Sequence, residues 1–497
     1  MPYLVWKQSG KNRYLVMRWK KRINGIPAVV KEISIGNIEN LARIVEGDLS
    51  GIDLVSYGYG VTASVMAMDK EIGLRETIDT VMGHRENGLS PGDYALIFIM
   101  NRLSDPGSKS GMGEWMVNDF ASTLFRPVTA QGFWNLMDRF SDTDMKLIRE
   151  RIRERLISLG YDHSRLFVDG SNLYTFMQQN DMARKGHNKK HRYDLNQVSY
   201  HMASNYDYIP FDGDSYPGNI PDSKSFGMIV ENTPEDAILI FDRGYNSEDN
   251  VRRIMKRKYI GALIQSDHRD LMAMPLPRDS SLETRKVVYG IDHRIILYHS
   301  TKLERKRIIS FMKRFRRVYS KARKIMQSGD SDSLQKAQYY LEAENLNETI
   351  LLPSMKINGE RMRERFSMLG KSALFTDIEG EKPEDLIDLY RKRNRVEHCF
   401  RTISMGDLMS PIYHWTPQKI RVHMFFSYLA YLFLALIYNR IRTSIDTVSL
   451  ITSIDILRQI RIVYVSRGTK TENRIDTRTP EARLVAERLR LLDLAKP

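Results

Sequence analysis

Residues Arg165–Met177 read RLFVDGSNLYTFM, an apolar run that stops at an aspartate and then resumes. Leu166, Phe167 and Val168 in a row suit a strand covered on both faces. NQVSYHMAS (196–204) and DYIPFDGD (207–214) keep strand character. PDSKSFGMIVEN (221–232) is helical in period, and DAILIFDRGY (236–245) is another apolar strand ending in an aspartate and a turn. SEDNVRRIMKRK (247–258) is helical again and YIGALI (259–264) a strand. Three strands followed by alternating helix and strand predict a mixed sheet with helices on its faces.

That element order is compatible with a ribonuclease-H-like core. After about residue 265 the alternation stops. TRKVVYGIDHRIILYHS (284–300) reads as a β-hairpin, a strongly basic helical stretch follows, and SDSLQKAQYYLEAENL (331–346) is a polar helix. SALFTDIEG (372–380) restores a strand, and PEDLIDLYRKRNRVEHCFRTI (383–403) a strong helix with proline near its start. The predicted fold is therefore α/β, a mixed sheet flanked by helices, compatible with a ribonuclease-H-like core and interrupted by an insertion with β-strands and basic helices. Upstream, YLVWKQSGKNRYLVMRWKKRINGIPAVVKEISIG (3–36) alternates like short strands, with Asn24-Gly25 as a hairpin signal. From about Leu74 to Gly160 the period is helical. The expected divisions are an N-terminal β-meander (1–48), a helical DNA-binding region (49–160), a core in two parts (161–269 and 366–445) around the insertion (270–365), and a helical tail (446–497).

Lysine and arginine number 76 against 61 acidic residues, a formal charge of +15, which favours a polyanionic partner. The excess clusters: from Lys302 to Lys324 there are eleven basic residues, Arg314 and Arg317 among them, and one acid, Glu304. In the meander, Lys7, Lys11, Arg13, Arg18, Lys20, Lys21 and Arg22 suit a DNA grip or a solvated face equally. The single cysteine, Cys399, excludes a disulfide framework and a cysteine-built zinc site within one chain. The run Met424–Tyr438 is uncharged but shorter than the roughly 20 residues of a spanning helix, so it reads as a buried core helix. With no secretory h-region at the start, a cytoplasmic protein without membrane contact is expected.

Asp169 and Asp242 each follow an apolar strand, where ligands gather in α/β sheets. Taken singly, such an aspartate is more often a turn or cap residue. Tyr390, Arg393 and Glu397 fall at i, i+3 and i+7, one face of a helix, a pattern that simple amphipathic packing also produces.

Together these residues resemble the DDE transposases of prokaryotic insertion sequences, in the branch with a Tyr-x2-Arg-x3-Glu-x6-Lys signature and a β-rich insertion before the glutamate. The likeness runs through NRLSDPGSKSGMGEW (101–115), FVDGSNLYTF (167–176), GHNKKHRYDLNQV (186–198), SYPGNIPDSKSF (215–226), IFDRGYNSEDNV (240–251) and LYRKRNRVEHCFRTI (389–403). It implies that Asp169, Asp242 and Glu397 are catalytic and hold two Mg²⁺ or Mn²⁺ ions, hard cations suited to carboxylate oxygen. It makes Tyr390 and Arg393 contacts to DNA phosphate, with Arg243, Lys189, Lys190, Arg192, Arg314 and Arg317 along the DNA path. Ser404 stands where the signature has lysine, which weakens one phosphate contact; Lys419 is a substitute to consider. His187 and His191 have zinc-like spacing, but no cysteine or carboxylate partner is suitably spaced. The implied activity is binding of terminal inverted repeats, strand cleavage and strand transfer by a homodimer on double-stranded DNA, with no small-molecule substrate. A DNA-binding descendant that no longer cuts and a nuclease without strand transfer are the alternatives.

Overall fold

The computed structural model describes every residue except 1, 10–11, 24–25, 38–51, 84–87, 187–193, 329, 406, 411, 413, 446, 468–469 and 495–497. The chain forms two compact units, Met1–Ile152 with Thr402–Pro497, and Arg153–Arg401.

The first unit opens with the expected meander: β1 (Pro2–Ser9), β2 (Asn12–Ile23) and β3 (Ile26–Asn37) pair antiparallel in that order. Ile23 pairs with Ile26 across Asn24-Gly25, a dipeptide that itself lies outside the described residues. After β4 (Ile52–Gly58) come seven helices, α1 (Gly60–Ile72), α2 (Leu74–Met82), α3 (Pro91–Ser104), α4 (Met112–Val117), α5 (Ala121–Leu124), α6 (Ala130–Met137) and α7 (Asp142–Ser158). The start of α3 shows why it forms there. Ser90 and Asp93 make a reciprocal capping box and Pro91 sits in the first turn, where its missing N–H costs nothing.

The second unit is built on one eight-stranded sheet. In chain order its elements are β5 (Arg165–Thr175), β6 (Asn196–Ser204), β7 (Pro210–Pro217), α8 (Asp222–Asn232), β8 (Ile238–Phe241), α9 (Glu248–Ile254), β9 (Tyr259–Ala262), α10 (Arg269–Ala273), β10 (Ser281–Val288) and β11 (Ile291–His299). There follow α11 (Thr301–Met326), α12 (Ser333–Ala343), the two-residue strands β12 (Ile350–Leu351) and β13 (Lys356–Ile357), α13 (Gly359–Met368), β14 (Lys371–Thr376), α14 (Pro383–Arg391) and α15 (Asn394–Met405). The sheet order is β10-β11-β14-β9-β8-β5-β6-β7. β5, β8 and β9 run parallel to one another, and all other neighbours are antiparallel. The β10–β11 hairpin turns at Tyr289 and Gly290, both at positive φ, and its second strand hydrogen-bonds to β14 and so joins the main sheet. Between β11 and β14 the basic helix α11 packs Phe315, Val318 and Ala322 against Leu341, Leu346 and Ile350, a small core of its own.

Back in the first unit, α16 (Pro417–Arg442) is the one helix among the described residues long and apolar enough to cross a membrane, and its most apolar window is 94% buried. As expected, it is a core helix, with Phe426 ringed by Phe98 and Phe140 at 5.5 and 5.3 Å. The helical tail expected after residue 446 holds only in part. α17 (Leu450–Arg458), α18 (Pro480–Arg488) and α19 (Leu491–Leu494) are helical, but β15 (Arg461–Arg467) and β16 (Lys470–Asp476) form a hairpin. β15 pairs with β4, so its partner lies some four hundred residues upstream and leaves no local trace in sequence.

Candidate active site: three carboxylates around one guanidinium

The parallel β5–β8 ladder runs from Arg165 opposite Ile238 to Val168 opposite Phe241. Asp169 continues β5 and Asp242 is the first residue past β8, so the two follow directly on the last paired positions of neighbouring strands. Sequence reading places both at strand ends. For Asp242 this holds: its Oδ1 accepts from the Gly244 N–H at 2.5 Å as the chain turns. β5 instead continues through Thr175 because β6 pairs with it as far as Asn196, which leaves Asp169 in mid-strand with little exposure.

The face carrying Asp169 is covered by α15. Tyr200, opposite Ser171, lies on that face and packs edge-on against Phe400 at 5.1 Å; Ser204 meets Cys399. On the opposite face Phe226 of α8 packs on Phe241 at 4.8 Å. The single helix predicted over 383–403 is two. Around Lys392 the backbone closes i→i−3 bonds, Arg393 N–H to Tyr390 C=O and Arg395 N–H to Lys392 C=O, a tightening that re-aims the helix beyond it. Arg395 then docks on the hydroxyls of Tyr206 and Tyr208.

The re-aimed Arg393 reaches all three carboxylates. Its Nη1 is 3.6 Å from Asp169 Oδ2, and its Nη2 is 3.7 Å from Asp242 Oδ2 and 3.3 Å from Glu397 Oε1. The Glu397 contact is a long hydrogen bond, the two aspartate contacts are ion pairs without one, and Nη1 is buried with no hydrogen-bond partner. Burial alone would lower the Arg393 pKa; the Tyr390 ring, 5.9 Å from the guanidinium, and the three carboxylates outweigh it and raise the value. Burial pushes the Tyr390 phenol up to about 12 although Arg393 pulls the other way. Glu397 is 49% exposed and Asp242 33%, against 13% for Asp169 and for Arg393, so the cluster opens to solvent on one side.

Two residues missed in sequence border it. Asp222, at the start of α8, approaches Gly170 from the opposite face: a Cβ there would lie 3.0 Å from the Asp222 carboxyl, so glycine is what lets the two elements close. Tyr245 is buried with an unpartnered hydroxyl; burial, then Asp222, Tyr216, Asp169 and Asp242, drive its pKa well up. Both lie within stretches that carried the resemblance, but nothing in their spacing marks them out.

The other expected DNA contacts are placed as follows. Arg243 is exposed beside Asp242 and lies close enough to Arg307 to help lower its pKa, after burial. Arg314 and Arg317 lie on α11, where Glu344 holds both, at 2.9 and 3.7 Å, rather than any of the three carboxylates. Ser404 is exposed on the last turn of α15. Lys419 pairs with Asp138 at 3.0 Å. Lys189, Lys190 and Arg192, with His187 and His191, lie outside the described residues.

Three carboxylates and one guanidinium leave two negative charges in a small volume, the deficit a divalent cation would fill, and the donors are all hard oxygens. The carboxylates are spread around Arg393, and among the described residues no three His, Cys, Asp or Glu side chains close on a common point as a ready metal cage. The donor set thus fits a divalent metal in charge and chemistry, with Arg393 at its centre in this arrangement. No curated protein matches the chain. A family model, described as the transposase DDE domain, matches residues 160–433, more than half the chain and a span holding all four clustered residues. The chain therefore belongs to the DDE transposases, a family that acts on DNA and generally uses divalent metals such as Mg²⁺.

Proposed function

We propose that the chain binds the terminal inverted repeats of an insertion sequence and cuts and joins DNA strands at the Asp169–Asp242–Glu397 cluster. The observation that carries this reading is the convergence of the three carboxylates on Arg393. The order β7-β6-β5-β8-β9 within the sheet, two antiparallel pairings followed by two parallel ones, supports a ribonuclease-H-like core.

Asp169, Asp242 and Glu397 would hold the divalent ions. When bound, two such ions supply a water-derived nucleophile at neutral pH and charge relief at the departing 3′ oxygen. The chain's own residues do the rest. Arg393, with a buried Nη1 lacking a hydrogen-bond partner, turns its planar donors to phosphate oxygens, the geometry that suits arginine to such anions. Tyr390 backs the guanidinium, its ring 5.9 Å away, and offers its phenol as a further donor. Arg243 lies at the mouth, and exposed α11 residues such as Lys313 and Arg316 offer a track for the backbone. No side-chain nucleophile is required. Both element ends must be held together for joining, so the working form is a homodimer on DNA.

Ser404 favours one rival, a DNA-binding protein that no longer cuts. The test is cleavage of the end DNA of the encoding element with Mg²⁺ or Mn²⁺, comparing the parent with Asp169→Ala, Asp242→Ala and Glu397→Ala. Nicking at the repeat end by the parent alone, with binding retained in all four proteins, supports the transposase. Binding without cutting under either metal supports the silent rival, and cutting without joining to a second duplex supports a nuclease.

A further inference from the structure

The meander β1–β3 carries a face that the proposed cleavage chemistry does not use. Its register settles which side chains share a face. Leu4 and Trp6 of β1 stand opposite Met17 and Leu15 of β2, and Met17 and Trp19 stand opposite Ile33 and Lys31 of β3. Alternation adds Arg13 and Lys21 to this face. Leu4 and Trp6 are more than half exposed, at 56% and 53%, and Arg13, Lys21 and Lys31 are exposed. Lys31 Nζ lies 5.1 Å over the Trp19 ring. The opposite face holds Val16, fully buried, with Glu32 bonded to Lys7 and, at 2.6 Å, to Arg18.

Charge selects the partner for the exposed face. Between Lys7 and Glu32 the sequence has eight basic residues and one acid, Glu32 itself. Glu32 is committed to Lys7 and Arg18 on the far face, so among the described residues of the meander Arg13, Lys21 and Lys31 frame the two tryptophans with no carboxylate between them. A second copy laid on this face would bring like charge to like charge. A duplex brings phosphates. Side chains on one face of a strand recur every ~6.7 Å, close to twice the ~3.4 Å spacing of charges along one DNA strand. The major groove, about 12 Å wide, admits β-ribbons, and sheets that read DNA set strands there. Trp6, Leu15 and Met17 offer apolar contact to thymine methyl groups, flanked by cations for phosphates and guanine edges.

We propose that this face is a second double-stranded DNA-binding surface, with β2 lying in the major groove of the element end. It rests on the reading that the chain acts on DNA, and it adds a recognition surface in the unit that does not contain the carboxylates.

The test uses the full chain and fluorescein-labelled element-end duplex, with binding followed by anisotropy across a salt series and by hydroxyl-radical footprinting. Trp6→Ala is expected to lose roughly tenfold in preference for the end sequence over unrelated duplex. Lys21→Ala and Lys31→Ala are each expected to lower the slope of log affinity against log salt by about 1. One patch of protection disappears in these variants and persists in Asp242→Ala, which instead loses cleavage. Unchanged affinity, slope and footprint in all three meander variants, with cleavage by the parent intact, overturn the surface and leave the proposed function standing. Tighter binding to single strands than to duplex, or variants that alter sedimentation but not the footprint, also overturn it, in favour of a stacking platform or a protein contact. A parent that binds no duplex fells both proposals.

Discussion

Each unit buries a cluster of titratable side chains, and the two are resolved in opposite ways. In the first unit, Lys109 Nζ lies 2.6 Å from His423 Nδ1, His423 Nε2 donates to the Met409 carbonyl at 2.9 Å, and His414 stacks obliquely 5.3 Å from His423. Burial pushes the Lys109 amine and the His423 ring well down, with nearby cations adding to it, and takes His414 to about 3. Arg102, 1% exposed, donates to the Asp407 and Ser410 carbonyls. Among the described residues no carboxylate enters these hydrogen bonds: burial favours the neutral amine and imidazoles, and the Arg102 guanidinium rests on main-chain carbonyls alone. In the second unit Arg393 is nearly as covered, yet Tyr390 and the three carboxylates raise its pKa against burial, and two of the carboxylates remain open to water. Buried basic groups bonded to main chain and to each other mark a structural node; a cation held among carboxylates at an open edge marks a place for charged ligands.

The sharpest way to break this contrast is to remove charge from each cluster in turn. Alanine at Asp169, Asp242 or Glu397 should reduce cleavage by roughly a thousandfold or more, the scale on which charge-stabilising groups act at a reacting centre. The melting temperature should change little, because each substitution relieves repulsion among the other carboxylates. Arg102→Ala should do the reverse: two buried carbonyls lose their donor and a cavity opens, costing about 3 kcal/mol in thermal or denaturant unfolding. Large destabilisation by the carboxylate variants, or none by Arg102→Ala, would erase the distinction.

Acid provides a smaller test. His414 has a folded pKa of about 3 against an unfolded value of 6.5. The folded chain therefore binds fewer protons than the unfolded one in that window, so its contribution to stability is complete above pH 6.5 and is lost as pH falls toward 3. A pH series of melting temperatures should show this decline, and His414→Gln should flatten it. The smallest expected effect is on metal binding without DNA. Arg393→Gln removes the cation from among the carboxylates and should tighten Mn²⁺ binding several-fold by calorimetry; weaker binding would mean that Arg393 organises the ligands.

Much of this site is legible in sequence, because its parts are local. Apolar runs ending at Asp169 and Asp242, and helical spacing from Tyr390 to Glu397, are within reach of strand and helix periodicity. The hidden parts depend on partners far along the chain. β5 runs past Asp169 because β6 pairs with it, the 383–403 helix breaks at Arg393 with no glycine or proline to announce it, and β15 becomes a strand because of β4. Arg314 and Arg317 look free in sequence, but Glu344, thirty residues on from the first, takes both.

The most direct measurement is metal-specificity rescue at one of the three carboxylates. Asp242→Cys replaces a hard oxygen with a softer thiolate. Cleavage of element-end DNA by this variant should fall to background in Mg²⁺ and return in part in Mn²⁺, while the parent cuts in both. Equal loss in the two metals, with DNA binding and melting temperature unchanged, would contradict the assignment of Asp242 as a metal ligand and with it the three-carboxylate account.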